Sequence, residues 1–250
     1  MLSADIDNAF KDKLLSVIIP AYNEADIIGQ TIGRVLEYLR GKGWRYEVIV
    51  VDDGSTDATA DVAAEAAGGA AAVSLLRNER NMGKGYTVRR GMLSARGDAR
   101  IFTDADLSVP FEEIEKLIPH WQNGCGIAFG SRYVPGAKIE VHQSALREAM
   151  GLAFNILVRC HMLACFKDTQ TGFKLFSSEC AERVFRNQKL TDFAFDVELL
   201  FLARRYGFRI AEVPITVSNR STSKINLLIT PLVMFFELLK IRWNQICGRY

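Results

Sequence analysis

The alternation of short apolar runs with helix-forming segments limits most strongly what this chain can fold into. Apolar runs occupy residues 15–19, 46–51, 73–76 and 100–103, and segments with helical periodicity or alanine-rich composition lie between them. Parallel strands that are buried on both faces appear as continuous apolar runs, and the crossovers that join them are usually helices. The pattern therefore predicts an α/β fold with a mostly parallel central sheet flanked by helices.

The second half of the chain continues this pattern less regularly. We predict further strands at 127–130, 173–176 and 208–213. We predict further helices at 111–122 and 195–206. The chain has 250 residues, which suffices for one large domain, and no repeat or low-complexity linker divides it. We expect that domain to span 1–222 and an amphipathic helix to occupy 223–250.

Charge and cysteine content narrow the function classes. The formal net charge is only +2, so no bulk field attracts nucleic acid, and we expect no nucleic-acid partner. Five cysteines without a C-x-x-C pair argue against a zinc site or a disulfide framework and favour a reducing compartment. The first ten residues lack a signal-peptide pattern, and no run reaches the ~18 apolar residues of a membrane span. We therefore expect a cytoplasmic protein that is soluble or peripheral to a membrane.

Acidic residues follow two of the predicted strands. Asp52 and Asp53 come after the second strand, and Asp104 and Asp106 come directly after the fourth. Parallel sheets bind ligands beyond the carboxyl ends of their strands. Residues i and i+2 of an extended segment point to the same side. Two such carboxylates form a hard-oxygen site for Mg²⁺ or Mn²⁺, which could bridge to a diphosphate.

Two other loops can be interpreted in more than one way. The segment from Pro20 to Glu24 is either an ordinary strand-to-helix turn or a ligand loop in which Tyr22 offers an aromatic face. The segment from Gly83 to Gly85 is too short for a P-loop. Its backbone N–H groups and the point charge of Lys84 could nevertheless approach a phosphate.

Taken together, these motifs resemble the inverting family 2 glycosyltransferases. Residues 20–24, 52–57, 81–85 and 103–106 match that family in order and spacing. Later residues, 130–133, 168–176 and 223–224, resemble the dolichyl-phosphate glucosyl- and mannosyltransferases and their polyprenyl-phosphate relatives, with 168–176 most similar to the β-glucosyl members. The resemblance implies a GT-A fold and a nucleotide-sugar donor, with UDP-glucose favoured and GDP-mannose next.

The resemblance also implies roles for individual residues. The donor would contact Pro20, Tyr22, Glu24, Asp53, Lys84 and Asp104, with Tyr22 and Asp53 near the base and ribose. Asp104 and Asp106 would bind the Mg²⁺ or Mn²⁺ ion and, with Arg132, form the catalytic group. The phosphate of a polyprenyl acceptor would contact Arg132, Arg147, Arg220 and Lys224. Arg220 lies nearer to Ser223 than the corresponding arginine of the mannosyl members does.

The residues alone leave three functions open, two of which differ in the acceptor. A polyprenyl phosphate is already ionised at neutral pH, so its transfer needs arginine forks and a cation but no general base. A sugar hydroxyl in a polysaccharide or glycan would need a positioned base, and Asp168 or Asp196 is a candidate. A non-catalytic domain that binds nucleotide sugars is the third function.

The C-terminal segment has the signals of an amphipathic helix. Thr230 and Pro231 favour a helix start, and apolar residues follow at helical spacing, among them Trp243. Nearby basic residues, including Lys240 and Arg242, give the mixture typical of a helix at a membrane interface. Packing on the domain or in the seam of a homo-oligomer is the alternative.

Overall fold

The computed structural model describes residues 6–141, 165–192, 194–218 and 230–250. The strands are β1 (Leu14–Ala21), β2 (Arg45–Asp52), β3 (Val73–Arg77), β4 (Ala99–Thr103), β5 (Ile127–Ser131), β6 (Lys138–Val141), β7 (Phe173–Ser177), β8 (Ile210–Pro214) and β9 (Thr216–Ser218). The helices are α1 (Ala25–Lys42), α2 (Thr59–Ala67), α3 (Lys84–Ser94), α4 (Ile114–Gln122), α5 (Ser178–Asn187), α6 (Phe195–Arg205) and α7 (Thr230–Ile246). A 3₁₀ turn at Phe111–Glu113 precedes α4, where the sequence predicts one continuous helix.

Most of the strands form one seven-stranded sheet with the order β3-β2-β1-β4-β7-β5-β8. Strands β1 to β4 pair in parallel, and β5 pairs in parallel with β8. β7 lies between β4 and β5 and is antiparallel to both. A separate two-stranded parallel sheet joins β6 and β9. The predicted mostly parallel α/β sheet is therefore confirmed, and β7 is its exception.

Helices cover both faces of the sheet because its central strands are apolar on both sides. Along β1, Val17 and Ile19 belong to one buried cluster and Ile18 to the other, as the alternation of strand side chains requires. α1 and α4 pack into the first cluster, and α3, α5 and α6 pack into the second. The result is a three-layer arrangement with its polar loops at the ends of the strands.

The C-terminal helix α7 is attached to the second of these clusters. Leu238 and Ile241 are buried there, and the Glu237 carboxylate accepts a hydrogen bond from the Ala194 amide at 3.3 Å. At the end of the chain, the Tyr250 hydroxyl donates to Glu198 at 2.5 Å. None of the helices in the described ranges combines the length and apolarity needed to cross a bilayer.

Candidate active site

The carboxyl ends of β1, β2 and β4 meet at one edge of the sheet. β1 is the parallel neighbour of both other strands, and Ala21 at its end is opposite Asp52. The Asp53 amide continues this pairing with a hydrogen bond to the Ala21 carbonyl at 2.8 Å. The loops that carry Tyr22, Asp53 and Asp104 therefore leave the sheet on the same side, as predicted.

Asp104 lies between two residues that are remote in sequence. Because Thr103 pairs with Phe173 in the antiparallel β4–β7 ladder, Asp104 faces Gly172 across the end of that ladder. A Cβ atom on Gly172 would lie only 2.2 Å from Asp104 Oδ2, so the backbone approaches the carboxylate very closely. From another side, Lys84 at the start of α3 places Nζ 2.7 Å from Asp104 Oδ1. Burial disfavours the ammonium ion, but the combined negative charges of Asp104, Asp196 and Asp106 outweigh burial and raise the pKa of Lys84.

Asp106 is the second carboxylate of this loop. Its Oδ1 accepts the Ser108 amide at 2.9 Å, and Thr31 of α1 holds the intervening residue by donating to the Ala105 carbonyl at 2.5 Å. Burial, and then the nearby Asp104 charge, raise the pKa of Asp106. The protein therefore holds two acidic side chains close together at a fixed turn.

The carboxylates of Asp104 and Asp106 fit a Mg²⁺ or Mn²⁺ ion that is also held by a diphosphate. In the part of the chain that the structure describes, no three His, Cys, Asp or Glu side chains come together as a metal cage. Mg²⁺ is commonly bound through one or two carboxylates, with substrate phosphates and water completing the shell. Asp104 and Asp106 supply that number of carboxylates.

Asp53 organises the glycine loop that leads to Lys84. Its buried carboxylate accepts hydrogen bonds from the Asn78 side chain at 2.7 Å, the Met82 amide at 2.9 Å and the Gly83 amide at 3.0 Å. These contacts fix residues 78–83 beside the end of the sheet that carries Asp104 and Asp106, which we call the acidic edge. The predicted contact between Asp53 and the donor stays a prediction, and the structure adds this positioning role.

The first loop presents one exposed aromatic side chain. Tyr22 is 37% exposed at the end of β1, whereas Pro20 is buried opposite Val51 of the neighbouring strand. The Glu24 amide donates to the Thr59 hydroxyl at 2.8 Å and so ties the start of α1 to α2. An exposed ring at the ligand edge suits stacking against a base, and the donor contacts of these three residues stay predictions.

Arg132 forms a forked ion pair with Asp168. Arg132 Nε and Nη2 lie 2.7 and 2.9 Å from the two carboxylate oxygens, and the Arg132 amide also donates to Oδ2 at 3.1 Å. Burial opposes both charges, but the pairing keeps the pKa of Asp168 below its usual value and that of Arg132 above its own. A carboxylate held in this way is a poor proton acceptor.

A second buried ion pair lies under the acidic edge. Lys174 of β7 donates to Asp196 Oδ1 at 2.5 Å and also bonds the Thr171 carbonyl. Burial raises the pKa of Asp196 and lowers that of Lys174. The sequence predicts Asp196 only as a possible base and gives no role to Lys174. A lysine inside an apolar strand was the available signal, because a buried charge requires a partner.

Three predicted acceptor residues cannot be placed at this site. Arg147, Arg220 and Lys224 lie outside the residues that the structure describes. Their assignment therefore stays a prediction from sequence. Arg132 is the described member of that group. It directly follows β5, which runs in the same direction as β4 because β7 is antiparallel to both, so Arg132 leaves the sheet at the same edge as Asp104.

Comparison with known proteins points to one group of enzymes. Residues 16–181 match the family model described as Glycosyl transferase family 2. A Homo sapiens protein named dolichyl-phosphate beta-glucosyltransferase is 35% identical over 251 residues, which cover 95% of this chain and 78% of the relative. A Dictyostelium discoideum protein of the same name is 33% identical over 255 residues, which cover 97% of this chain and 77% of the relative.

Solved structures share the fold at lower identity. Glucosyl-3-phosphoglycerate synthase from Mycobacterium tuberculosis in complex with UDP matches with a TM-score of 0.71 at 20% identity, over 95% of this chain and 83% of that chain. A structure of the same enzyme with Mn²⁺, UDP and phosphoglyceric acid matches with a TM-score of 0.70 at 20% identity, over 99% and 83% of the two chains.

Proposed function

The chain belongs to glycosyl transferase family 2 and is a glycosyltransferase with the GT-A fold, and we propose that it transfers glucose from UDP-glucose to a dolichyl-type polyprenyl phosphate. The names of the human and Dictyostelium relatives support glucose and dolichyl phosphate as sugar and acceptor. UDP in the structural neighbour supports a uridine nucleotide. GDP-mannose is the competing donor.

The arrangement around Asp104 is the observation that carries this proposal. Asp104 and Asp106 follow the buried strand β4 at the acidic edge, and Lys84 contributes a positive charge at 2.7 Å from Asp104. The diphosphate of the nucleotide gains negative charge as its bond to the sugar breaks. A site for it therefore needs cationic groups beside the phosphates. A Mg²⁺ or Mn²⁺ ion held by Asp104 and Asp106 would stabilise the charge that develops on the leaving diphosphate.

Transfer to a lipid phosphate needs no proton transfer. An oxygen of the acceptor phosphate forms a bond to the anomeric carbon, and the bond from that carbon to the diphosphate oxygen breaks on the opposite face. The electron pair of that bond stays on the UDP that leaves. Because the new bond forms on the face opposite the one that breaks, the anomeric configuration inverts. The protein then has to bring two phosphate groups together, which arginine forks do well. We assign Arg132 to this task through the side of its guanidinium that does not face Asp168, since Nε and Nη2 already pair with that carboxylate. Arg147, Arg220 and Lys224 are assigned by resemblance.

The contacts of the two candidate bases support a phosphate acceptor over a sugar hydroxyl. Asp168 is locked to Arg132 with a lowered pKa, and Asp196 is buried against Lys174. A general base for a hydroxyl acceptor would have to reach the reacting oxygen within hydrogen-bond distance. Both carboxylates are instead engaged in holding cationic side chains.

A transfer assay tests the proposed function. We expect radiolabelled glucose to move from UDP-glucose to a short polyprenyl phosphate in the presence of Mn²⁺ or Mg²⁺, faster than mannose moves from GDP-mannose. Asp106→Ala should abolish transfer while the circular dichroism spectrum is kept, and Asp61→Ala, at an exposed site on α2, should leave transfer intact. Transfer only to free sugars, or full activity of Asp106→Ala, would contradict the proposal.

The helix α7 offers a surface for the membrane that would hold such an acceptor. Leu238, Ile241 and Asn244 are buried on one face. The opposite face carries the exposed row, which we define as Phe236, Leu239, Trp243 and Ile246, with exposed fractions of 65%, 47%, 59% and 78%. Lys240 and Arg242 are also exposed. Apolar side chains flanked by basic ones suit the headgroup region of an anionic bilayer.

Vesicle binding tests this part of the proposal. The protein should co-sediment with vesicles that contain phosphatidylserine, and Trp243→Glu should weaken the binding by inserting a charge into the exposed row. Gln122→Glu adds the same charge on α4 and serves as the control. If Trp243→Glu leaves vesicle binding unchanged but turns a dimer into a monomer in sedimentation velocity, the exposed row is a homo-oligomer seam instead. A peripheral location at the cytoplasmic face stays part of this proposal.

A further inference from the structure

Lys84 and a divalent cation require the same carboxylate. Lys84 Nζ is 2.7 Å from Asp104 Oδ1, which makes a close ion pair. Asp104 cannot move freely away from this contact, because Gly172 lies so close to Oδ2 that even a Cβ atom would overlap it at 2.2 Å. A cation that coordinates Asp104 would therefore lie beside the ammonium group, and the two positive charges repel each other.

The Lys84 side chain can leave while its backbone stays in place. The Gly85 amide donates to the Thr191 carbonyl at 2.7 Å. A Cβ at Gly83 would lie 2.5 Å from the Thr191 carbonyl oxygen, and a Cβ at Gly85 would lie 2.8 Å from Phe195 Cβ. The loop is thus clamped against the segment before α6. The flexible four-carbon stem of lysine is the part that can rotate, and its ammonium group binds phosphate as a point charge.

From this geometry we infer that Lys84 shields Asp104 from divalent cations until a nucleotide diphosphate draws its ammonium group away. The inference rests on the proposed function, since it assumes that Asp104 and Asp106 hold the ion that accompanies the donor. Displacing Lys84 without a phosphate to receive it would strand a partly buried charge, since its side chain is only 28% exposed. Metal and nucleotide binding are then coupled, and the coupling is reciprocal.

Manganese titration followed by electron paramagnetic resonance tests the inference without measuring sugar transfer. Wild-type protein should bind Mn²⁺ weakly alone and more tightly with UDP, after correction for Mn²⁺–UDP complexes measured without protein. Lys84→Met should bind Mn²⁺ about tenfold more tightly in the absence of UDP, and the gain on adding UDP should shrink, within the range usual for coupled sites. Lys84→Arg keeps the charge and should behave like wild type.

A second lysine provides the matched control. Lys116 pairs with Glu113 at the same 2.7 Å distance but lies on α4, so Lys116→Met removes an equal charge from an ion pair of equal length. It should leave Mn²⁺ binding unchanged. Asp104→Ala should remove the tight site in every background, which locates it. The inference is overturned if folded Lys84→Met, checked by its thermal transition, binds Mn²⁺ no more tightly than wild type without UDP. A failed transfer assay would leave this result standing, because no sugar or lipid takes part in it.

Discussion

Replacing Gly172 by alanine should disable the active site while the protein remains folded. The added Cβ would lie 2.2 Å from Asp104 Oδ2, 2.5 Å from Cγ and 2.6 Å from Oδ1. Ordinary van der Waals contact begins at 3.4 Å, so the carboxylate must shift by about 1 Å (3.4 minus 2.2). That movement breaks the alignment of Asp104 with Lys84, which now stands at 2.7 Å.

The size of the effect follows from that displacement. A misplacement of about 1 Å in an active site can lower the rate about 100-fold. Overpacking in a buried region costs about 1–3 kcal/mol, whereas a native domain has roughly 5–15 kcal/mol of stability, so most molecules should stay folded. We therefore expect a large loss of transfer with a modest fall in the urea midpoint.

The assay compares transfer rate, Mn²⁺ affinity with UDP and unfolding midpoint for Gly172→Ala and a matched control. Gly33→Ala is that control, because Gly33 lies on an exposed part of α1 and an added Cβ there meets nothing within 4 Å. It should keep full activity and gain up to about 1 kcal/mol of stability, since alanine is the better helix former. Wild-type transfer by Gly172→Ala would refute the role given to the close approach at Asp104.

Two further predictions concern charge. Asp168→Asn should lower the free energy of unfolding by about 3 kcal/mol in urea titrations, because Arg132 would lose its buried partner; a change below about 1 kcal/mol would contradict the assigned pairing. Because burial and Asp104 raise the pKa of Asp106, Mn²⁺ affinity with UDP should fall on acidification at a pH above the ~3.9 of an ordinary aspartate. In the protein without metal, the raised pKa of Asp106 gives folding stability the opposite dependence on pH. The contribution of Asp106 to stability is present below its unfolded pKa and is lost as the pH rises through its folded pKa. Mn²⁺ titrations and urea melts across this pH range check both signs.

The sequence was most informative where the chain is apolar and local. The first four strands contain the predicted runs, and each is slightly longer, as β1 (Leu14–Ala21) shows against its predicted 15–19. Parallel strands are buried on both faces, so their hydrophobic runs stand out. The small sheet of β6 and β9 was missed because its strands, with Lys138, Glu140, Thr216 and Ser218, are short and partly polar.

The site could be predicted only as far as local motifs reach. Asp104, Asp106 and Lys84 could be named as candidates because each follows a strand or starts a helix in a recognisable pattern. The approach of Gly172 depends on β7 pairing antiparallel with β4, and the Arg132–Asp168 fork joins the end of β5 to the segment before β7. No periodicity of the sequence specifies these long-range pairings, so the contacts that orient the charges appear only in the folded chain.

The most direct measurement is anomalous diffraction at the manganese edge from crystals soaked with Mn²⁺ and UDP. If an acidic sheet edge grips the donor through a cation, the manganese peak will lie between the carboxylates of Asp104 and Asp106 and touch the uridine diphosphate, with Lys84 turned toward a phosphate oxygen. A peak elsewhere on the molecule, with Lys84 still bonded to Asp104 while the nucleotide is bound, would contradict the account.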